Sequence, residues 1–498
     1  MNSKSHAIEG LSIVLVSMLA LALRLYGLGE ENLWIDEIHQ VQVSSQSIPE
    51  IIQNYRPDSP LAVTDQAPLS LLVSHFFIRS QDSEFFARLP SMFFGTLGIA
   101  AFYLLVRQIA SIPTAMLATL FLALSPLHIW YSQEARWYAQ WSLFTTLSYL
   151  ALIRTEKSSS LAAWAAYAGT TLANIYTFIY APFIVAAQGL SLVRRQHLQR
   201  IPRRNLAVFS TVIAVVFVAA WPVLWMIVGT VQAGGADSGT LRSSSILEIP
   251  YTFLTFSTGL TVGPDLRYLH GSPGPGQILA SYPETLLVFL VFAPIAAWGL
   301  FKAWRDPDLS SWILPWLFVP ILLVFGMSGM VTRMTFQVRY AFVSLPAFVL
   351  VVAIGVVSLK RRTAWLAATA ILALTSLSLL NFYSNPEYDK ADVRGAVDYV
   401  RSHDSESHQI MFIGQIVEAM QHYASFEDTE LFDRCTDRLG YLENLDLSQD
   451  LWLLSGRDWD LETKGCLELL SSAYSVKEHA GTTGVGIWHL RPSQDRGL

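Results

Sequence analysis

The sequence predicts a polytopic α-helical membrane protein that ends in a small water-exposed α/β domain, and three observations predict it. Of its 498 residues only 14% are charged and 52% are hydrophobic, against about 25% charged in an average soluble domain. Residues 206–229, 285–301, 312–332, 340–359 and 364–380 contain no Asp, Glu, Lys or Arg. Such runs approach or exceed the roughly 17–25 apolar residues that cross a bilayer core. Finally, 21 of the 39 acidic residues follow Tyr383, so the tail is built for a different solvent.

Taken in order, eleven spans are expected, near residues 10–28, 89–107, 114–131, 137–153, 160–176, 179–193, 206–229, 285–301, 312–329, 340–359 and 364–382. Residues 11–28 have the length of a signal peptide, but no small-residue cleavage site of the A-x-A kind follows, so they read as a retained first helix. The 36 uncharged residues of 158–193 are too many for one span and enough for two, with a turn near Tyr180–Pro182. Cytoplasmic segments are enriched in Lys and Arg. With the N-terminus inside, 14 of the 33 basic residues fall in short inside segments, including Arg194, Arg195, Arg200, Arg203 and Arg204. That cluster is a topology anchor first, and nothing strongly basic points to nucleic acid. An odd number of spans then leaves the acidic tail outside. The expected partition is a transmembrane domain over 1–382, with long outside loops at 29–88 and 230–284, and a soluble extracytoplasmic domain over 383–498.

Within the first loop Ala67–Ile78 is apolar but too short to span, which suits an interfacial helix. Gly271–Gly276 (GSPGPG) gives the second loop the composition of a mobile connection. In the tail, Asp389–Arg401 has helical spacing and Gln409–Ile413 reads as a short strand. The two cysteines, Cys435 and Cys466, either form one disulfide outside the cell or remain two thiols.

Two segments carry candidate chemistry. Leu33-Trp34-Ile35-Asp36-Glu37 places two acids beside apolar residues just after the first span. A carboxylate there can act as a general base toward an acceptor hydroxyl, hold a divalent cation, or belong to an ordinary solvated loop. Ser125–Tyr138 (SPLHIWYSQEARWY) puts Glu134 and Arg136 in the short loop between the third and fourth spans, at the expected membrane surface. Arg136 can bind a phosphate through its planar fork, pair with Glu134, or snorkel to headgroups.

With these residues in view, the chain resembles the polyprenyl-phosphate-dependent transferases of the GT-C superfamily, close to glycosyltransferase family 39 and the protein O-mannosyltransferases. The resemblance runs through Leu23–Leu28 (LRLYGL), Trp34–Glu37, Asp65–Leu69 (DQAPL), Ala87–Ser91 (ARLPS), Ser125–Tyr138 and Arg339-Tyr340, and Asp392–Val400 is similar to the start of the tail in relatives. It implies an inverting transfer of a sugar from a polyprenyl-phosphate donor to the hydroxyl of a lipid, glycan or protein acceptor, at the outer face of the cytoplasmic membrane. By position it implies that Asp36 is the general base with Glu37 beside it, and that Glu134 is a second-loop acid. Arg136, Arg333 and Arg339 become candidates for neutralising phosphate charge, with Arg88 and Tyr340 as further substrate-binding candidates. A divalent metal is left open as a cofactor, with Glu37, Glu134 and His270 as its candidate ligands.

The departures count against a metal: Gln66 stands where relatives often carry His, and Asn174-Ile175-Tyr176 stands where a His-Tyr pair is common. His270 is most simply a solvated loop histidine, and His75 and His128, on apolar faces, are read as structural. The aromatic abundance is explained largely by interfacial belts. Two other classes compete. A transporter or flippase for lipid-linked sugars would place polar groups near the midplane of broken helices, whereas here they gather at one face. A non-catalytic binding subunit would tolerate loss of Asp36.

Overall fold

A computed structural model describes residues 3–53, 55, 67–78, 83–233, 245–264, 268, 274–328, 336–403, 409–413, 417–423, 429–432, 448–456 and 461–493. The chain forms two compact units. One comprises Met1–Leu28, Val43–Asp82 and Phe86–Ser384, and the other Gly29–Gln42, Ser83–Phe85 and Asn385–Leu498. The tail thus groups with the beginning of the first long loop, which the sequence alone assigned to the transmembrane domain.

The helices up to the end of the hydrophobic part are α1 (Ser3–Leu25), α2 (Ile35–Ser45), α3 (Ile48–Gln53), α4 (Pro68–Ile78), α5 (Glu84–Ile109), α6 (Ile112–Leu124), α7 (Pro126–Ser132), α8 (Tyr138–Lys157), α9 (Leu161–Ile175), α10 (Ala181–His197), α11 (Arg203–Ala219), α12 (Trp221–Ala233), α13 (Glu248–Thr258), α14 (Pro275–Ser281), α15 (Glu284–Arg305), α16 (Pro307–Ser328), α17 (Val338–Ala341), α18 (Leu345–Val357) and α19 (Arg361–Ser384). Helix starts follow local chemistry. Ser111 and Ser160 cap α6 and α9 by accepting from Thr114 and Ala163 N–H, a cap worth about 1 kcal/mol.

By length and composition, six helices among the described residues can cross a membrane, and the bent pair α6–α7 makes a seventh. The chain is a multi-pass membrane protein. Several of the eleven expected spans are shorter or divided. Helices α9, α10 and α11 have 15, 17 and 17 residues, roughly 22–26 Å at 1.5 Å per residue, less than a hydrocarbon core of about 30 Å. The uncharged run 206–229 divides at Ala220 into α11 and α12. The lipid-facing sides are plain: α1 exposes Ile8, Leu11, Leu15 and Met18, and α19 exposes Trp365 and Leu366. Helix α18, by contrast, is buried from Leu345 to Val356.

Lipid tails are as apolar as leucine, so helices in a bilayer gain most from close packing. At one crossing α15 and α18 meet through glycines. A Cβ on Gly299 would collide with the Val351 carbonyl, and one on Gly355 with the Ile295 carbonyl. Polar groups inside this unit satisfy one another: Tyr167 donates to Gln188, which donates to Ser148, at 2.8 and 2.7 Å. The basic cluster is partly structural. Arg195 pairs with Glu156 at 2.5 Å and Asp308 at 3.1 Å, with its guanidinium 5.1 Å from the Trp312 ring.

The second unit contains α20 (Val393–His403), α21 (Val417–Tyr423) and α22 (Leu461–Leu470) with strands β1 (Gln409–Ile413), β2 (Thr429–Phe432), β3 (Leu451–Gly456), β4 (Tyr474–Thr482) and β5 (Val485–Pro492). The sheet order is β2-β1-β3-β5-β4, parallel for β1 with β2 and β3, and antiparallel where β5 joins β3 and β4. The expected strand at Gln409–Ile413 is β1. The expected helix begins at Val393 rather than Asp389, because Asp392 is its cap: its carboxylate accepts from Gly395 N–H at 2.9 Å. Met411, Ile413, Leu451, Leu453 and Cys466 share one core, and Cys466 is disulfide-bonded.

Candidate active site

In the first unit the site is organised by a broken helix. Pro126 has no N–H to continue α6, so Ser125 ends one helix and caps the next, accepting from His128 N–H at 3.4 Å, and α7 leaves at 56°. The bend takes carbonyls out of the helical ladder, and such groups need other donors. Arg24, in the last turn of α1 and fully buried, supplies one. It donates to the Ala123 carbonyl at 3.1 Å, the Ala20 carbonyl at 2.9 Å, Ser132 Oγ at 3.2 Å and His128 Nδ1 at 2.9 Å. Gln133 completes the latch by donating to the carbonyls of Arg24 at 3.0 Å and Tyr26 at 2.6 Å.

The loop that follows carries Glu134 and Arg136. They are buried within the protein, at 2% and 5% exposure. Gln133 and Ser91 pull the loop inward: Ser91 Oγ donates to the Arg136 carbonyl at 3.0 Å, and Arg136 N–H closes a tight turn on the Glu134 carbonyl at 2.7 Å. Glu134 Oε2 accepts from the Trp130 indole at 3.1 Å. Arg339, on α17, lies with its guanidinium carbon 5.2 Å from the Tyr340 ring and donates to Tyr138 Oη at 3.4 Å. The Arg339–Tyr138 bond brings Arg339 to the end of the loop that carries Glu134 and Arg136.

Around them stands an aromatic wall that the sequence reading attributed to interfacial belts. Trp137 stacks on Phe178 at 3.3 Å between ring centres, and Phe178 stacks with Tyr340 at 5.9 Å. Tyr180 meets Tyr340 edge-on at 5.1 Å, and Tyr131 lies 4.3 Å from Tyr138. The available signal was local: Trp137-Tyr138 directly follows Arg136, and Tyr340 directly follows Arg339. Arg88 is buried in α5 and donates to the Leu28 carbonyl at 3.2 Å, which ties the end of the first span. His75 binds the Ser44 carbonyl at 2.9 Å and His128 binds Arg24, structural roles as expected.

In the second unit the acidic pair begins a helix. Trp34 precedes α2, whose first turn holds Asp36 and Glu37, where the helix N-terminus favours acids. The two carboxylates then part. Glu37 is 0% exposed, accepts from the Trp34 N–H at 3.3 Å and forms an ion pair with Lys390 Nζ at 2.9 Å. Asp36 is half-exposed. The preceding residues are tied to the tail. Asn32 donates to Asp392 at 2.6 Å, Leu33 N–H to Tyr423 Oη at 2.8 Å, and Arg394 to the Glu30 carbonyl at 3.2 Å. Tyr423 and Arg394 both also bind the Glu84 carboxylate, at 3.2 and 2.9 Å.

Arg333 and His270 lie outside the described residues. Among the described residues no group of three His, Cys, Asp or Glu side chains converges as a metal site. Glu37 pairs with Lys390 at its helix start and Glu134 accepts from the Trp130 indole, and no step is routed through a metal.

No protein-family model matches the sequence, and no curated protein does. Solved structures do match. The chain is similar to ArnT from Cupriavidus metallidurans in the apo state, at 13% identity and a TM-score of 0.57, over 96% of this chain and 97% of that one. The same protein bound to undecaprenyl phosphate matches at 13% identity and a TM-score of 0.54, with the same coverage. The archaeal oligosaccharyltransferase AglB from Archaeoglobus fulgidus, in complex with an inhibitory peptide and a dolichol-phosphate, matches at 11% identity and a TM-score of 0.57, over 99% of this chain and 75% of that one. Likeness at this level establishes architecture, and architecture alone does not fix a reaction. The chain has the fold of the GT-C glycosyltransferases.

Proposed function

We propose that this chain is an inverting glycosyltransferase that moves a sugar from a polyprenyl phosphate to an acceptor hydroxyl at the outer face of the cytoplasmic membrane. In this reading the tail is extracytoplasmic and Asp36 is the general base. Asp36 takes the proton of the acceptor hydroxyl, and the oxygen attacks the anomeric carbon. The bond from that carbon to the phosphate oxygen breaks, and its electron pair leaves with the polyprenyl phosphate. One displacement inverts the anomeric centre. Arg339 and Arg136 stabilise the charge that grows on the departing phosphate, where fixed positive groups contribute most. Glu134 orients the acceptor, and the rings of Trp137, Tyr138 and Tyr340 provide faces against which a sugar or prenyl chain can lie. Arg88 is assigned to holding the loop.

The observation that carries the reading is the division of labour in the acidic pair. Glu37 is buried and paired with Lys390, and Asp36, one residue earlier on the same helical turn, keeps part of its surface exposed. A lipid-phosphate donor is supported by the undecaprenyl phosphate bound to ArnT and the dolichol-phosphate bound to AglB.

The test is transfer from a panel of radiolabelled polyprenyl-phosphate sugars by purified wild type and Asp36→Asn in matched detergent. Transfer by the wild type that falls by about 10²–10⁴-fold in a folded Asp36→Asn is the expected result. Equal transfer by both removes Asp36 as the base. Binding or flipping without transfer returns the protein to the transporter class.

A further inference from the structure

We propose that Lys390 is a positioning residue for this reaction: through its ion pair with Glu37 it fixes the first turn of α2 and so the place at which Asp36 meets the acceptor. This rests on the transferase reading above and extends it to the tail, which then serves as a clamp on the reactive loop rather than as a separate module.

The geometry supports it in four steps. Lys390 is itself mostly buried, at 10% exposure, and its ammonium lies 2.9 Å from a carboxylate that is 0% exposed. A buried ion pair contributes little net stability compared with an apolar pair of the same shape, so fold stability alone does not explain its presence. What such a pair does impose is a fixed register. Glu37 has a second role, accepting from the Trp34 N–H, so Lys390 acts on the residue that sets where α2 begins. Asp36 is one position upstream in that turn and cannot move independently of it.

The other ties point the same way. Lys390, Asp392 and Arg394 hold Glu37, Asn32 and the Glu30 carbonyl in turn, and Tyr423 holds Leu33 N–H. The loop from Glu30 to Glu37 is therefore gripped at four points by two tail segments within the second unit. Asp392 does double duty, since the oxygen that accepts from Asn32 also caps α20 through Gly395 N–H. A Cβ on Gly395 would strike that carboxylate, so the absence of a side chain there protects the clamp.

The experiment uses the full-length protein with Lys390→Met, Lys390→Arg and Glu37→Leu/Lys390→Met. Turnover is measured against donor and acceptor concentration, with amide exchange over residues 33–45 as a second readout. A displacement of about 1 Å at a reacting group costs on the order of 10²-fold in rate. The expected result is a kcat about 10²-fold lower in Lys390→Met with donor KM little changed, faster exchange over 33–45, and recovery of most turnover in Lys390→Arg. If the lone methionine variant does not fold, the double variant removes both charges together and should fold with the same loss of kcat. Turnover within about twofold of wild type in either folded variant overturns the proposal. A loss of turnover with unchanged exchange also overturns it, since Lys390 would then act on substrate directly. If the wild type transfers no sugar, the transferase reading fails, but exchange still decides the clamp: faster in Lys390→Met supports it and unchanged refutes it.

Discussion

The most discriminating perturbation of the helical unit is Arg24→Lys, a change that keeps the charge and discards the geometry. Arg24 makes four bonds from a fully buried position, and all four acceptors are neutral: two backbone carbonyls, one hydroxyl and one imidazole nitrogen. They lie in different directions because one belongs to α1, one to the last turn of α6, and two to α7. A guanidinium reaches them with donors fixed in a planar fork, whereas an ammonium is a compact point with three donors on a shorter reach. Lysine therefore loses one or two of the four bonds. A hydrogen bond to a charged group contributes about 1.5–3 kcal/mol net, so the expected destabilisation is about 2–4 kcal/mol. The desolvation cost does not rescue the variant, since both side chains are buried cations and the ammonium is the more strongly hydrated. Thermal unfolding of the detergent-solubilised protein should drop by about 2–4 °C, since the shift per kcal/mol shrinks to about 1 °C in a chain of this size. Because Arg24 braces α7, which leads into Glu134, turnover should also fall in molecules that remain folded. An unfolding midpoint within about 1 °C of wild type would refute this account and show that lysine meets the same acceptors.

Two further outcomes are expected. Gly299→Val places a side chain against the Val351 carbonyl where α15 crosses α18; overpacking of this kind costs about 1–3 kcal/mol or more, and the variant should be lost from the monodisperse fraction on size exclusion, whereas wild-type yield would mean the crossing is loose. Glu50 accepts from both the hydroxyl and the N–H of Ser47, at 2.7 and 2.8 Å, and these bonds hold its carboxyl below the usual carboxylate range. A depressed folded value means that the cap is fully formed above the ordinary glutamate pKa of about 4.3 and is lost as pH falls through the lower folded value. Amide exchange over residues 47–53, corrected for its intrinsic pH dependence, should show opening of α3 between pH 6 and pH 3, and pH-independent protection would contradict the assignment.

What was legible in the sequence was whatever depends on near neighbours. The strand at Gln409–Ile413 comes from a local apolar run and stands where expected, and the break between α9 and α10 falls at 176–180, a few residues before the expected Tyr180–Pro182, because Pro182 opens α10. The shortened or divided spans were not legible, because an uncharged run shows that a segment tolerates lipid and not where a helix breaks. The one mark in 206–229 is Pro222, which sits in the first turn of α12 just after Ala220. The aromatic wall was hidden for a related reason: Trp137, Phe178 and Tyr340 are far apart in the chain, and only folding brings their rings together. The grouping of Gly29–Gln42 with residues beyond Asn385 was not legible either, because that segment directly follows a span in the chain and the association is long-range.

The acidic pair shows where the limit of such reading lies and why it matters for mechanism. Adjacent Asp and Glu residues are chemically near-equivalent, and no local pattern tells base from brace. What the structure adds is Lys390, 353 positions away, whose cation pairs with Glu37, a contact that no local pattern announces. Glu134 and Arg136 make the complementary case. Their short loop called for partners, and the structure supplies the anchors: Gln133 binds the carbonyls that end α1 and Ser91 the Arg136 carbonyl, so the loop turns inward. Burial of an acid and a base beside aromatic rings lowers the local dielectric and strengthens every charge interaction there. Under the proposed transfer, a phosphate leaving group beside Arg339 would meet charges that are already fixed in place, so little reorganisation would accompany the step.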